Sequence, residues 1–177
     1  MADLEFEIRT KNVEEIYPKD LDPRSVPEFL AELKAEALKA DLSKDEVLLT
    51  ADTIVLKDGE IFEKPEDETH AIQMIGEMVN SWHDVITGVC ILYGDTKVTF
   101  SDTTEVKFRD LSKEQIEYYV KKYKPFDKAG SYAIQEWIGV VAVKKIKGDI
   151  YNVIGLPVGR VVATLSELPF EIQGLVR

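Results

Sequence analysis

The sequence has little of what disulfide-bonded and membrane proteins need. Among its 177 residues there is one cysteine, Cys90, so no disulfide can form within the chain and a reducing compartment is the expected setting. No apolar run approaches the ~18 residues that span a bilayer. The amino end carries neither the basic nor the apolar segment of a signal peptide. We therefore expect a cytoplasmic protein that has no membrane partner.

Positive charge is also scarce. The 22 lysines and arginines face 33 acidic residues, which gives a formal net charge of -11. Nucleic acid polymers and anionic membranes bind to basic surfaces, so neither is expected as a partner. If the ligand is a polyanion, local lysines and a divalent cation must reverse the negative electrostatic field of the protein at the binding site. Phosphate-binding P-loops, zinc-type Cys/His spacings, nucleophile elbows and dinucleotide fingerprints are all absent from the sequence.

The composition, with 45% hydrophobic and 31% charged residues, is that of a folded globular protein. A chain of this length can bury one core and is too short for two comfortable domains. We predict a single domain over residues 1–177.

Hydrophobic periodicity and turn residues then predict its elements. The first half of the chain has a strand from Leu4 to Arg9, a helix behind a Ser25/Glu28 capping box to about Ala40, a strand over 47–56 and a hairpin turn at Asp58-Gly59. A helix over 71–79, a long hairpin over 84–108 and a helix behind a Ser112/Gln115 capping box follow. The chain then has a strand over 140–146, which turns at Gly148-Asp149 and returns over 150–154, and a last helix that begins at Pro157. The alternation of strands and helices predicts the α/β class, with a mixed, twisted sheet flanked by helices.

The stretch 48–55 organises this pattern, because Thr50 to Thr53 are polar within an otherwise apolar strand. Ligands of open α/β sheets tend to bind at the carboxyl ends of strands. Asp52 is therefore the first candidate for a reactive group, at the end of a strand and the mouth of a crevice. The alternative interpretation is that Asp52 closes a turn through a local hydrogen bond.

Other acidic and basic residues follow the predicted strand ends and loops. They are Glu15, Asp52 and Asp127 on one side and Lys34, Lys64 and Lys128 on the other. Carboxylate oxygens suit Mg²⁺ or Mn²⁺, and lysines can act as point charges for phosphate. Lys34 lies on a predicted helix, where most lysines are simply solvated. The small residues of the loop 126–132 would let a ligand approach the backbone closely.

The order and surroundings of these residues resemble the Maf family of nucleoside triphosphate pyrophosphatases. The matching stretches run through nearly the whole chain and include Glu14-Glu15-Ile16-Tyr17-Pro18, Lys34-Ala35-Glu36-Ala37, Ala51-Asp52-Thr53, Glu63-Lys64-Pro65, 83–89, Tyr118-Tyr119, 127–135 and 152–157. The Asp-Lys-Ala-Gly loop followed by Ile134-Gln135 is similar to the branch that acts on dTTP and UTP, rather than the branch that acts on 7-methyl-GTP.

The resemblance implies an α/β fold with a central cleft, commonly dimeric, which hydrolyses a nucleoside triphosphate between its α and β phosphates. It assigns Asp52 as the proton acceptor for the attacking water, and Glu15 together with Asp52 as ligands of a divalent cation, Mg²⁺ or Mn²⁺. It places Lys34, Lys64 and Lys128 against the triphosphate, and Thr53 and Gln135 where the family sets base preference. The amide of Gln135 can offer a donor and an acceptor to a pyrimidine edge, which is a physical reason for selecting uracil or thymine.

One family motif does not occur in this sequence. Members begin with a strand and a Ser-x-Ser-Pro-Arg-Arg loop that grips the phosphates, whereas here Pro23-Arg24-Ser25 stands in a different context, before a helix. The alternative expectation is therefore a nucleotide-binding or regulatory module of the same fold with impaired or no turnover. A third alternative is an acidic interaction domain whose lysines are merely surface residues.

Overall fold

A five-stranded sheet lies at the centre of the computed structural model, which describes residues 4–168. The elements in chain order are α1 (Val26–Leu38), β1 (Leu48–Lys57), β2 (Glu60–Phe62), α2 (Glu68–Met78), β3 (Trp82–Tyr93), β4 (Thr96–Phe108), α3 (Lys113–Tyr123), α4 (Trp137–Ala142), β5 (Val143–Lys147), α5 (Ile150–Ile154) and α6 (Val158–Glu167). The strand order is β2-β1-β3-β4-β5. The predicted α/β class is confirmed.

All four strand pairs of the described chain are antiparallel, so the parallel pair expected of a mixed sheet is not among them. β1 and β2 form one hairpin and β3 and β4 form another. The longer connections, through α2 to β3 and through α3 and α4 to β5, also place each new strand antiparallel to its neighbour. None of the helices within residues 4–168 is long and apolar enough to cross a membrane.

Successive residues of β1 contribute to different cores, because side chains alternate across a sheet. Ile54 and Leu56 pack with Val26 and Leu30 of α1, on one face. On the other face, Val55 joins the main core. The other buried residues of that core lie on or near β2, α2, β3, β4, α3 and α4 and in the loop 129–134. The sheet is thus covered on both faces, and β1 presents alternate residues to two different environments.

The edge of β1 is open over most of its length. β2 pairs only with its last three residues, in the register Val55↔Phe62, Leu56↔Ile61 and Lys57↔Glu60. From Leu48 to Ile54 the strand has β3 on one side and no other strand of the described chain on its second side. A ligand that approaches this edge can therefore reach side chains from both faces of the sheet.

Several predicted elements are confirmed. The turn at Asp58-Gly59 has positive φ at both residues, 53° and 89°, as a type I′ hairpin requires. The capping box of Ser112 and Gln115 is formed at the start of α3. The remaining confirmed elements are the helix over 71–79, the hairpin over 84–108 and the last helix, which begins after Pro157.

Other predictions are wrong. Residues 4–18 form no strand within the described chain, and Phe6 and Ile8 are 79% exposed, because alternation alone supplies no neighbouring strand to pair with. Residues 140–142 end the helix α4, and 150–154 form the helix α5, whose start is capped by the Asp149 side chain. Short apolar runs of this kind do not distinguish a strand from a helix by periodicity.

Asp52 was expected at the end of a strand or in a turn, and both expectations are wrong. It lies in the middle of β1, opposite Gly88 of β3. What brings it to a crevice is the end of the β1–β2 pairing, which stops at Val55. The helix predicted behind Ser25 is confirmed as α1. Its capping box is not formed, since Ser25 makes no capping hydrogen bond among the described residues.

Candidate functional site

A cavity of about 300 Å³ runs along the open edge of β1. Its walls come from five segments: the middle of β1, Lys64 just beyond β2, Val85 of β3, the loop before α4, and the end of α5 with the residue that follows it. The residues that line it include Ala51, Asp52, Thr53, Lys64, Asp127, Lys128, Tyr132, Gln135, Val153, Ile154 and Gly155. Six of the eight residues singled out in the sequence therefore line one cavity.

The other two, Lys34 and Glu15, are joined to this cavity through Asp52. Lys34 on α1 donates a hydrogen bond from Nζ to Asp52 Oδ1 at 2.5 Å, and the same nitrogen lies 2.8 Å from Glu15 Oε1. The side chains of Asp52 and Lys34 are 11% and 25% exposed, so the pair is largely withdrawn from water. Among the described residues, no hydrogen bond reaches Asp52 Oδ2.

Close packing of α1 on the sheet sets this geometry. Gly88 lies directly opposite Asp52, and a Cβ built there would meet backbone atoms of Pro27 and Glu28 at 2.2 Å. Only glycine lets the start of α1 approach β3 so closely. Because a helix rises 1.5 Å per residue, fixing Glu28 also fixes where Lys34 reaches β1.

The environment of Asp52 perturbs its acidity. Burial raises the pKa of Asp52 above its usual value, and this outweighs the opposite effect of the hydrogen bond and charge of Lys34. Burial would lower the pKa of Lys34, but its hydrogen bonds to Asp52 and Glu15 raise it above the usual value. The hydrogen bond from Lys34 also lowers the pKa of Glu15. The site therefore holds a charged ammonium beside a carboxylate that takes up a proton more readily than usual.

Lys64 and Lys128 reach the cavity from two segments that a backbone hydrogen bond ties together. Gly130 N–H donates to the carbonyl of Glu63 at 3.2 Å, which holds the loop containing Lys128 beside the chain at Lys64. Gly130 has a φ of 67°, and a Cβ there would lie 2.8 Å from a methyl carbon of Val55. Lys128 also pairs with the exposed Asp127, at 3.1 Å. Two ammonium groups therefore line the cavity from neighbouring segments.

Gln135 is held at the cavity by the loop that precedes α4. The buried hydroxyl of Tyr119 accepts a hydrogen bond from the backbone N–H of Ala133 at 3.2 Å and donates to the carboxylate of Glu136. These two bonds bracket Gln135, whose side chain is exposed at the cavity. Thr53, on the face of β1 opposite to Asp52, lines the same cavity.

Sequence reasoning did not identify the wall formed by Val153, Ile154 and Gly155, nor Tyr132. The stretch 152–157 carried part of the family resemblance, so its motif was a signal without an assigned role. Tyr119 also belonged to a matching stretch without an assigned role, because a buried hydroxyl on a helix cannot be distinguished by sequence from any other core position.

The residues present can supply part of a divalent cation site. Within the described chain there is no cluster of three or more histidine, cysteine, aspartate or glutamate residues that could hold a metal ion. Glu15 and Asp52 do converge, since both lie within 2.8 Å of the same lysine nitrogen. Mg²⁺ commonly binds through one or two carboxylates, with substrate phosphates and water completing its shell. The donor set therefore fits a cation that arrives with a phosphate ligand.

Known proteins resemble this chain over nearly its whole length. The model of the family described as "Maf-like protein" matches residues 1–168. A protein of Cytophaga hutchinsonii named "dTTP/UTP pyrophosphatase" is 47% identical over 167 residues, which cover 94% of this chain and 76% of that protein. One of Flavobacterium johnsoniae with the same name is 48% identical over 166 residues, covering 94% and 86%. From the family match and these identities, the chain belongs to the Maf family.

Proposed function

We propose that this protein is a nucleoside triphosphate pyrophosphatase that hydrolyses dTTP and UTP to the monophosphate and pyrophosphate. Relatives at 47% and 48% identity carry that name. The observation that carries the proposal is the shared cavity, in which Asp52 of altered acidity lies with Lys64, Lys128 and Gln135. The reaction adds one water across the bond between the α-phosphorus and the oxygen that leads to the β-phosphorus.

Asp52 is the proposed general base. A water that attacks the α-phosphorus must lose a proton as the new P–O bond forms, and the pyrophosphate leaves with the electrons of the broken P–O bond. Lys34 holds Asp52 Oδ1 at 2.5 Å, which leaves Oδ2 to accept the proton of that water. A raised carboxylate pKa suits this role, because a base works best when its pKa approaches the working pH.

The lysines are the proposed phosphate ligands. Attack on a phosphate that is already charged builds more negative charge on its oxygens, and fixed cations at those oxygens stabilise the transition state. Lys64 and Lys128 line the cavity, and Lys34 lies next to Asp52. Glu15 and Asp52 would hold a Mg²⁺ or Mn²⁺ ion, which supplies further neutralisation of phosphate charge when it is bound.

Base selection is proposed to involve Gln135 and Thr53, which line the same cavity. The amide of Gln135 offers both a donor and an acceptor, and its N–H groups can donate to the carbonyl oxygens that flank N3 on uracil or thymine. Thr53 adds a hydroxyl on the same cavity. The bracketing bonds of Tyr119 support this role for Gln135, because they hold the backbone on either side of it.

The test is pyrophosphate release from dTTP and UTP by the wild type and by Asp52→Asn. We expect the substitution to lower the rate about 10²–10⁴-fold, the usual contribution of a general base. The matched control is Asp127→Asn, which removes a carboxylate that lines the same cavity but is exposed and paired with Lys128. An Asp52→Asn rate close to that of the wild type would remove Asp52 from the role of base. Tight dTTP binding without turnover by the wild type would instead favour a nucleotide-binding module.

We also propose a single domain over residues 1–177, a homodimer and a cytoplasmic location. The sheet and the helices that pack on its two faces support the single domain. The resemblance to the Maf family, whose members are commonly dimeric, supports the homodimer. The one cysteine, buried as a free thiol, supports a reducing compartment. Sedimentation velocity tests the homodimer, and a monomer at micromolar concentration would contradict it.

A further inference from the structure

Three oxygen atoms form a chain of hydrogen bonds that begins at the cavity and runs into the protein. Thr53 Oγ1 lies 2.9 Å from Thr87 Oγ1, its direct neighbour across the β1–β3 pair. Thr87 Oγ1 lies 3.0 Å from the backbone carbonyl oxygen of Asn152, in the middle of α5. Thr53 lines the cavity, whereas Thr87 and Asn152 are completely buried.

The proton of each hydroxyl is fixed by the last member of this chain. A carbonyl oxygen only accepts, so Thr87 must donate its single proton to Asn152. Thr87 can then only accept from Thr53, and Thr53 must donate to Thr87. The opposite arrangement would leave two buried oxygens 3.0 Å apart with no proton between them. Thr53 therefore offers the cavity lone pairs and no donor.

The short helix α5, which supplies this carbonyl, is held by several hydrogen bonds. The side-chain amide of Asn152 donates to the carbonyl of Val85 at 3.0 Å and to Thr104 Oγ1 at 3.1 Å. Thr104 in turn donates to the carbonyl of Asp149, and the carbonyl of Asn152 also accepts from Gly155 N–H. These bonds fix the carbonyl of Asn152 against β3, so Thr87 cannot reverse its proton by a small shift of α5.

We propose that Thr87 and the Asn152 carbonyl act as positioning groups that make Thr53 an obligatory hydrogen-bond acceptor, and thereby select uracil or thymine over cytosine. This rests on the proposed function, which places a pyrimidine in the cavity. Uracil and thymine carry a hydrogen on ring nitrogen N3, whereas the N3 of cytosine has only a lone pair. Thr53 can accept a hydrogen bond from the N3–H of uracil or thymine, whereas with cytosine its lone pair would face the lone pair of N3.

The test measures the binding of UMP and CMP by calorimetry with Mg²⁺ present. Neither probe contains a phosphoanhydride, so the result does not depend on turnover. The variant is Thr87→Val, which keeps the shape of the side chain but removes the hydroxyl and frees the Thr53 proton to point at the base. We expect the wild-type preference for UMP over CMP to fall roughly tenfold, the typical effect of one mismatched buried hydrogen bond. The matched control, Thr87→Ser, keeps the hydroxyl and should keep the preference.

If Thr87 has a merely structural role, Thr87→Val should weaken the binding of UMP and CMP equally. The ratio of their dissociation constants would then stay unchanged, which would overturn the proposal. Absence of any preference for UMP in the wild type would also overturn it. Thr53→Val removes the acceptor itself and tests the same claim if Thr87→Val fails to fold. That variant should lose the preference, and a retained preference would contradict the proposal. The wild type could prefer UMP, and Thr87→Val reduce that preference, while the protein releases no pyrophosphate from UTP. That result would refute the proposed hydrolysis and leave this inference standing.

Discussion

The acidity of Asp52 results from two opposed effects. Burial favours the neutral carboxyl, while the hydrogen bond and charge of Lys34 favour the carboxylate, with a weaker contribution from the charge of Lys64. The balance leaves the pKa above its usual value. Lys34 therefore limits how far burial raises the pKa of Asp52.

Replacing Lys34 by methionine should move the acid limb of the pH profile of kcat/KM for UTP to higher pH. Without the ammonium, the carboxylate of Asp52 loses its main stabilising partner, its pKa rises further, and the base form is lost at a higher pH on acidification. Lys64→Met is the matched control. It removes a cation that acts on Asp52 through charge alone, so the limb should move less. Equal shifts for the two variants would show that the hydrogen bond from Lys34 has no special effect.

The residues of the site could be predicted from sequence better than their structural setting. Asp52 was singled out because it interrupts an apolar strand, and that signal survives in the structure. Its supposed position at a strand end was wrong, because nothing in the sequence shows that β2 pairs with only three residues of β1. The partner of Thr53 could not be predicted either, since the register that places Thr87 opposite it depends on the whole β1–β3 pair.

Two serines illustrate the limits of sequence patterns for elements. Ser25 and Ser112 each precede a helix and each have a glutamate or glutamine three residues later, so both predict a capping box. Only Ser112 forms one. Ser25 is itself the last residue of a 3-10 turn that begins at Pro23, and Asp22 caps that turn instead. Its backbone is already helical, which points the hydroxyl away from the capping position.

Substitution of the two serines by alanine should therefore have different effects. Ser112→Ala removes a side-chain acceptor for the backbone N–H of Gln115 and should lower the free energy of unfolding by about 1 kcal/mol. Ser25→Ala removes no capping bond among the described residues and should change it by less than about 0.5 kcal/mol. Urea unfolding of both variants beside the wild type measures the difference. A larger loss for Ser25→Ala would mean that its hydroxyl has a partner in solution.

A second pair of substitutions tests the contact between α1 and β3. Gly88→Ala places a Cβ 2.2 Å from backbone atoms of Pro27 and Glu28, and a backbone cannot move aside as a side chain can. We expect a loss of about 1–3 kcal/mol in the free energy of unfolding, the usual cost of overpacking, together with loss of pyrophosphatase activity as Lys34 moves away from Asp52. In contrast, a Cβ added at Gly76 in α2 would meet no neighbouring described atom within 4 Å. Gly76→Ala should therefore stabilise the protein by about 0.5–1 kcal/mol.

Urea titrations provide the stability of both glycine variants, and pyrophosphate release provides their activity. A Gly88→Ala protein with wild-type stability and rate would show that α1 can shift without disturbing the site. Comparable destabilisation by Gly76→Ala would mean that glycine-to-alanine changes are harmful here for a reason other than packing.

The charge of the whole molecule opposes its proposed substrate. A net charge of -11 repels a triphosphate, and the three lysines of the site only balance the three nearby acids Glu15, Asp52 and Asp127. Long-range attraction therefore cannot bring the nucleotide in. Binding must rely on contacts at short range, where Lys64 and Lys128 line the cavity, and on a cation that accompanies the phosphates.

Nucleotide and divalent cation should therefore stabilise the protein only together. We expect MgCl₂ alone, or a UTP analogue with a methylene bridge between its α and β phosphates in EDTA, to raise the Tm by less than ~1 °C. Both together, at about a hundred times the dissociation constant, should raise it by roughly 5–10 °C. The reason is that Glu15 and Asp52 form an incomplete cation site, which phosphate oxygens must complete. Thermal unfolding under the four conditions measures this, with the corresponding GTP analogue as the control for base selection. An equal rise with the analogue in EDTA would show that the lysines alone overcome the acidic field.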